Sequence, residues 1–249
     1  MAHDLWRCGP DASVRLLADP SEPPLVLEVV SPDGVRTAVL DAAHPRASLS
    51  APADGLAVFG QWLGLGVEHL ATGLDHVLLV LGLCALIGFR ARLIAALTAF
   101  TLGHSLSLAL AATGLVTLPP AAVEVAIAAT LVLLGLELAT RPAAPGRARP
   151  GPLARWPWAG GVAIGLVHGL GFAAALRALG LPDAHVGGAL VGFNLGLELA
   201  QLAFVAALGL AVLTARRLAR GTTRWPIASA AGWLIGIAGA AWVLDRALP

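Results

Sequence analysis

No lysine and no tyrosine occur anywhere in this chain, and cysteine, methionine and charged residues of either sign are scarce. Each shortage excludes something. Without lysine there is no G-x-x-x-x-G-K-[ST] phosphate loop, so no ATP-binding site of that kind lies in the chain. The two cysteines, Cys8 in a polar stretch and Cys84 in an apolar run, exclude a disulfide framework and a cysteine-rich metal site. Any metal must then be held by His, carboxylate or amide groups. A net charge of +1 gives no overall field that would attract nucleic acid or an acidic partner. Charged residues make up 12% of the 249 and hydrophobic ones 57%, at a mean hydropathy of +0.81. A water-soluble core needs no such excess, so the chain reads as an all-α polytopic membrane protein in a lipid bilayer.

Residues 1–56 differ from the rest. They hold eight of the fifteen acidic side chains and four arginines, and they read as a separate polar, external N-terminal segment. Within it Leu25 to Val30 and Val35 to Leu40 are apolar, partly β-branched runs around Ser31-Pro32-Asp33-Gly34, the pattern of a β-hairpin. Export of such a segment calls for a signal peptide, yet Met1 to Pro10 has no basic start, apolar run or small-residue cleavage site, so the natural start is expected upstream.

Residues 57–249 form the transmembrane domain. Apolar stretches near 58–89, 93–113, 119–140, 157–180, 186–215 and 226–246 each supply the roughly 20 residues a crossing helix needs, which predicts about six transmembrane helices. The first and fifth are longer than a crossing requires, and glycines such as Gly64, Gly66 and Gly73 are places where the first could break. Ten arginines, from Arg90 and Arg92 through Arg155 to Arg224, occupy alternate connections, with Arg177 the exception. The positive-inside rule makes those connections cytoplasmic and puts both termini outside.

Gly66-Val67-Glu68-His69 in the first span matches Gly165-Leu166-Val167-His168 in the fourth, and Phe100-Thr101-Leu102-Gly103 matches Phe193-Asn194-Leu195-Gly196. Partners three crossings apart make a 3+3 inverted repeat, an arrangement that puts a transporter's substrate near the midplane.

An ionisable group within hydrocarbon costs roughly 2.5–3.5 kcal/mol on insertion scales and persists where it is paired or functional. The spans carry Glu68, His69, Asp75 and His76 in the first, His104 with Ser105 and Ser107 in the second, Glu124 and Glu137 in the third, His168 in the fourth, and Asn194, Glu198 and Gln201 in the fifth. Four buried histidines are more than packing alone requires. On a regular helix His69 and His76 share a face but stand about 10 Å apart. Either they serve successive stations on a path, or a break at Thr72 and Gly73 brings them together. Asp75 either binds metal directly or orients an imidazole on a neighbouring helix. Asn194, Glu198 and Gln201 make a polar stripe that must face protein or water. Glu137, near the cytoplasmic end, reads as an interfacial charge, while His3, His44 and His185 lie in polar segments.

His69-Leu-Ala-Thr-Gly-Leu-Asp75-His76, together with Phe100-Thr-Leu-Gly-His104-Ser, Val123-Glu124, His168-Gly-Leu-Gly-Phe172 and Phe193-Asn-Leu-Gly-Leu-Glu198, resembles the HupE/UreJ family of bacterial membrane proteins over roughly residues 57–215. The HX5DH signature is its most specific element. The resemblance implies a bacterial inner-membrane protein associated with nickel, and sometimes cobalt, uptake, with His69, Asp75 and His76 essential and His104 and His168 matching further family histidines. Imidazole suits cobalt, zinc and copper as well, and the residues do not choose among them.

The leading expectation is therefore a divalent-metal permease, nickel or cobalt, with His69, Asp75, His76, His104 and His168 as metal ligands and Glu68, Ser105, Glu124, Asn194, Glu198 and Gln201 as relay or supporting groups. Two alternatives remain: a membrane-embedded metal-dependent hydrolase in which Asp75 or Glu124 is the general base, and a metal-binding accessory protein. Association into a homo-oligomer is left open.

Overall fold

A computed structural model describes residues 13–15, 25–31, 34–40, 46–48, 55–140, 150–178, 185–219 and 225–248, the first four stretches as backbone alone. In the N-terminal segment, β1 (Ser13–Arg15) pairs antiparallel with β4 (Arg46–Ser48), and β2 (Leu25–Ser31) with β3 (Gly34–Leu40) in a register running from Leu25 opposite Leu40 to Ser31 opposite Gly34. The turn expected at Pro32 and Asp33, along with His3 and His44, lies outside the described residues.

The remainder is helical: α1 (Gly55–Thr72), α2 (Leu74–Ile87), α3 (Ala91–Ala112), α4 (Pro120–Ala139), α5 (Pro152–Arg155), α6 (Pro157–Ala178), α7 (Val186–Ala219) and α8 (Trp225–Ala247). Helix ends fall where local chemistry stops the ladder. Gly88 at φ 77 ends α2, and Gly114 at φ 76 follows α3, conformations that residues with a Cβ rarely adopt. Pro120 opens α4 at its first turn, where its missing N–H costs nothing. Among the described residues α3, α4 and α7 are long and apolar enough to cross a membrane, and α1 with α2 makes a fourth if the bent pair counts as one span. At 1.5 Å per residue α7 is about 50 Å long, well beyond a hydrocarbon core of about 30 Å.

The helices associate in pairs whose contacts are made by glycine. In lipid no hydrophobic driving force separates helix from tail, so close backbone approach supplies the attraction. A Cβ on Gly161, Gly165 or Gly169 of α6 would collide with the carbonyls of Ala96, Phe100 and His104 on α3, and Gly103 faces the Val162 carbonyl in return. Between α1 and α7 the same pattern recurs: Gly66 sits on the Phe193 carbonyl, Gly196 on that of Leu63 and Gly192 on that of Phe59. These two pairs run parallel, because residue numbers rise together. The α4 and α8 helices run antiparallel through Gly135, Gly232, Gly236 and Gly239.

Helix α2 is the hub. Its Leu79, Val80, Leu83 and Leu86 are buried with Leu97 and Phe100 of α3, Leu131, Leu134 and Leu138 of α4, Ile164, Leu197 and Ile235. Glu137 is half-buried, accepting from the backbone N–H groups of Leu153 at 3.0 Å and Ala154 at 2.8 Å, while Arg92 donates to the Ala154 and Arg155 carbonyls. The two charges thus satisfy both ends of the short α5.

Candidate metal centre

Gly73 interrupts the first apolar stretch. It takes φ −78 and ψ 93 between α1 and α2, and the two helices meet at a 72° bend. The backbone still bonds on either side, Gly73 N–H to the His69 carbonyl at 2.9 Å and Val77 N–H to the Gly73 carbonyl at 3.0 Å. Glycine is required here by crowding, since a Cβ would press on the His69 carbonyl at 2.7 Å and on Asp75 Oδ1 and His76 Nδ1 at 3.2 Å. The bend folds His69 against His76, with ring centroids 4.6 Å apart. Of the two arrangements the sequence leaves open, the broken helix is the one found.

The glycine-mediated contact of α3 with α6 delivers the other two imidazoles. Gly165 and Gly169 lie against the carbonyls of Phe100 and His104, so His104 and His168 are drawn toward the bend. His76 stands in the middle, its centroid 5.9 Å from His104 and 5.0 Å from His168, while His69 is 6.0 Å from His104. Ligand-type atoms of His69, His76 and His104 all fall within 4.8 Å of one another, as do those of Asp75, His76 and His168. His76, His104 and His168 are buried and His69 is nearly so.

Hydrogen bonds fix which ring nitrogen faces inward. Asp75 Oδ1 accepts from the His76 backbone N–H at 2.8 Å and from His76 Nδ1 at 2.9 Å. The Thr130 hydroxyl donates to the Ile127 carbonyl at 2.6 Å, so toward His168 Nε2, 3.0 Å away, it accepts. Asn194 donates its amide to the Leu190 carbonyl at 2.8 Å and accepts from His104 Nδ1 at 3.3 Å through Oδ1. Three imidazoles thus have one N–H tied to an acceptor, which leaves the lone pair on the opposite nitrogen. Those opposite atoms, His76 Nε2, His104 Nε2 and His168 Nδ1, together with His69 Nε2, are buried without a hydrogen-bond partner among the described residues. An unpaired buried polar atom costs roughly 1–3 kcal/mol, so four in one place are an arrangement that packing alone does not explain. Such a nitrogen-rich set could hold a divalent transition metal ion, three of its four imidazoles being oriented by an outer partner.

Aromatic rings wall the cluster. Phe172 stacks on Phe193 at 4.8 Å and lies 4.2 Å from His69, and Phe100 is 5.7 Å from His76 and 5.5 Å from His168. A partly open cavity of about 210 Å³ adjoins it, lined by His69, Asp75, His76 and His168 and by the more exposed Glu124 and Arg246. Arg246 Nε lies 3.6 Å from Glu124 Oε2, and its Nη1 donates to the Glu124 carbonyl at 3.2 Å.

The remaining expected residues are distributed differently. Asn194 joins the cluster through His104, but Glu198 and Gln201 lie further along α7, where Glu198 accepts from Thr98 Oγ1 at 2.6 Å and from Thr101 Oγ1, and Thr101 also reaches Gln201 Oε1 at 3.3 Å. Ser105 donates back to the Thr101 carbonyl at 2.6 Å and Glu68 is exposed; both are outside the two histidine groups. Thr130, Thr98 and Arg246 join these contacts without being expected from the sequence. A lone threonine in an apolar helix normally bonds its own backbone, so Thr130 carries no linear signal. Arg246 had one, a charge near the end of the last span, away from the arginine-rich connections.

The family described as HupE / UreJ protein matches this chain over residues 46–246. No curated protein and no solved structure matches it.

Proposed function

The chain belongs to the HupE/UreJ family, which is associated with nickel and cobalt transport or accessory function, and on that premise we propose that it is a permease for a divalent transition metal ion, nickel or cobalt. The observation that carries the reading is the convergence of four imidazoles, three buried and one nearly so, each with a buried ring nitrogen left without a partner among the described residues. His69, Asp75, His76, His104 and His168 hold the ion in transit as substrate. Asn194 and Thr130 keep His104 and His168 turned toward it. Glu198, Gln201, Thr98 and Thr101 form a second polar station toward the cytoplasmic side, since α7 descends from the outer face under the arginine-based orientation.

Six alternating crossings in a bacterial inner membrane, both termini outside, are consistent with the observed parallel pairs α1/α7 and α3/α6 and the antiparallel pair α4/α8. An inverted 3+3 repeat is supported by reciprocal contacts: Gly66 on Phe193 answers Gly165 on Phe100, and Gly196 on Leu63 answers Gly103 on Val162. Broken and unbroken copies of one repeat are the usual setting for a midplane ion site. The membrane potential supplies the energy, about 2.3 kcal/mol per charge per 100 mV and so roughly twice that for a divalent ion.

The test is uptake of ⁶³Ni²⁺ or ⁵⁷Co²⁺ into proteoliposomes under an inside-negative potential, comparing the wild type with His76→Ala and Asp75→Asn. Loss of uptake with retained folding is expected, and unchanged uptake in both variants rejects the reading. The triad of Asp75, His76 and His168 beside a cavity favours one second reading, a metal-dependent hydrolase with Glu124 as base. Saturable binding without transmembrane flux is the result that would select it.

A further inference from the structure

We propose that Arg246 is a tethered competitor for the incoming cation: its guanidinium holds Glu124 across the mouth of the histidine pocket and thereby sets how tightly a divalent ion binds beneath it. The proposal rests on the pocket being a metal pathway. Arg246 is the one cation among the residues that line the cavity, beside the carboxylates of Asp75 and Glu124. Antiparallel packing of α8 on α4 brings it from the last turn of one helix to the first turns of the other. Three contacts fix it: the Glu124 carboxylate at 3.6 Å, the Glu124 carbonyl at 3.2 Å and the Trp242 ring at 5.5 Å.

A half-exposed ion pair of this kind adds little to stability, the Glu124 side chain being 52% exposed and that of Arg246 28%. Its placement makes sense electrostatically. A hydrated divalent ion arriving at the rim meets a carboxylate already neutralised by a guanidinium. To be held there it must take Glu124 from Arg246, which swings toward water while its stem stays on Trp242. Repulsion between the guanidinium and the bound ion keeps affinity moderate, as a conducting site requires if the ion is to leave.

The experiment is equilibrium binding of ⁵⁷Co²⁺ to the purified full-length protein in detergent, for the wild type, Arg246→Gln, Glu124→Gln, the double variant and His76→Ala. Arg246→Gln is expected to bind roughly tenfold more tightly, and by less than about threefold when made in the Glu124→Gln background. Tightening is a readout that mere structural damage would not produce, since damage loosens a site. Should Arg246→Gln not fold, Arg246→Lys, which loses the planar two-point hold on Glu124, is expected to shift affinity in the same direction by about threefold. Unchanged or weaker binding in a folded Arg246 variant overturns the proposal while leaving the pathway standing, provided His76→Ala has lost binding. Wild-type binding that His76→Ala leaves intact overturns both.

Discussion

His69 and His76, seven residues apart on what hydropathy marks as one apolar stretch, hold their rings 4.6 Å apart. A continuous helix would separate them by about 10 Å, so the contact exists only because Gly73 turns the chain through 72°.

Gly73→Ala tests that dependence directly. The added methyl must displace the His69 carbonyl or the Asp75 and His76 side chains, and every one of these belongs to the cluster. Metal affinity is expected to fall by at least tenfold, measured by ⁵⁷Co²⁺ binding, with a monodisperse protein still recovered. Gly64→Ala, on the same helix but with open space around it, is expected to bind as the wild type does.

On the proposed reading Thr130 is expected to act on the metal ion through His168. Its hydroxyl is committed to the Ile127 carbonyl, and its oxygen lone pair receives the His168 Nε2–H, which leaves Nδ1 as the ligand atom. Thr130→Val removes the acceptor at nearly constant volume. Outer partners of metal-bound histidines are worth about 10–100-fold in affinity, and a loss in that range is expected, with Thr130→Ser restoring most of it. Equal binding by the valine variant would show that His168 is not held by this bond.

Much of the architecture was readable in advance because hydropathy is a one-dimensional signal: runs near 93–113 and 119–140 appear as α3 and α4 with little change of boundary. The four histidines stood out for the same reason, as polar letters in apolar text. What could not be read was pairing. Gly161, Gly165 and Gly169 resemble many other glycines in the chain, and only three-dimensional contact distinguishes them from Gly60 and Gly64, where an added Cβ would meet open space. Thr130 and Arg246 were missed because their partners come from helices distant in sequence. Asp75 was assigned a neighbouring helix's imidazole as one option, whereas it orients that of its own sequence neighbour, His76.

The glycine contacts carry a stability prediction. Gly165→Ala and Gly66→Ala each drive a Cβ into a backbone carbonyl, of Phe100 and Phe193 respectively, and backbone cannot rotate away as a side chain can. Overpacking of this type costs about 1–3 kcal/mol, and both variants are expected to lower the midpoint of thermal unfolding in detergent, by similar amounts if the two contacts are equivalent halves of a repeat. Gly60→Ala is the matched control, and its midpoint is expected to be unchanged or slightly raised through the better helix propensity of alanine.

Glu198 separates binding from passage. Its carboxylate is bonded to Thr98 and Thr101 on α3 and lies outside both histidine groups, so it is expected to add little to the first site. If the ion moves from the imidazoles to this all-oxygen station before reaching the cytoplasm, Glu198→Gln should keep the shape and the hydroxyl contacts while removing the charge that draws the ion onward. Equilibrium binding of ⁵⁷Co²⁺ in detergent is then expected to match the wild type within about twofold, while uptake into proteoliposomes falls by tenfold or more. Parallel losses in both assays would instead make Glu198 part of the first site, and unimpaired uptake would remove it from the path altogether. The split matters because, on the proposed reading, the histidines and Asp75 account for capture. Only a group that alters flux without altering capture shows that the polar stripe from Asn194 to Gln201 is a route rather than a seam between two helices.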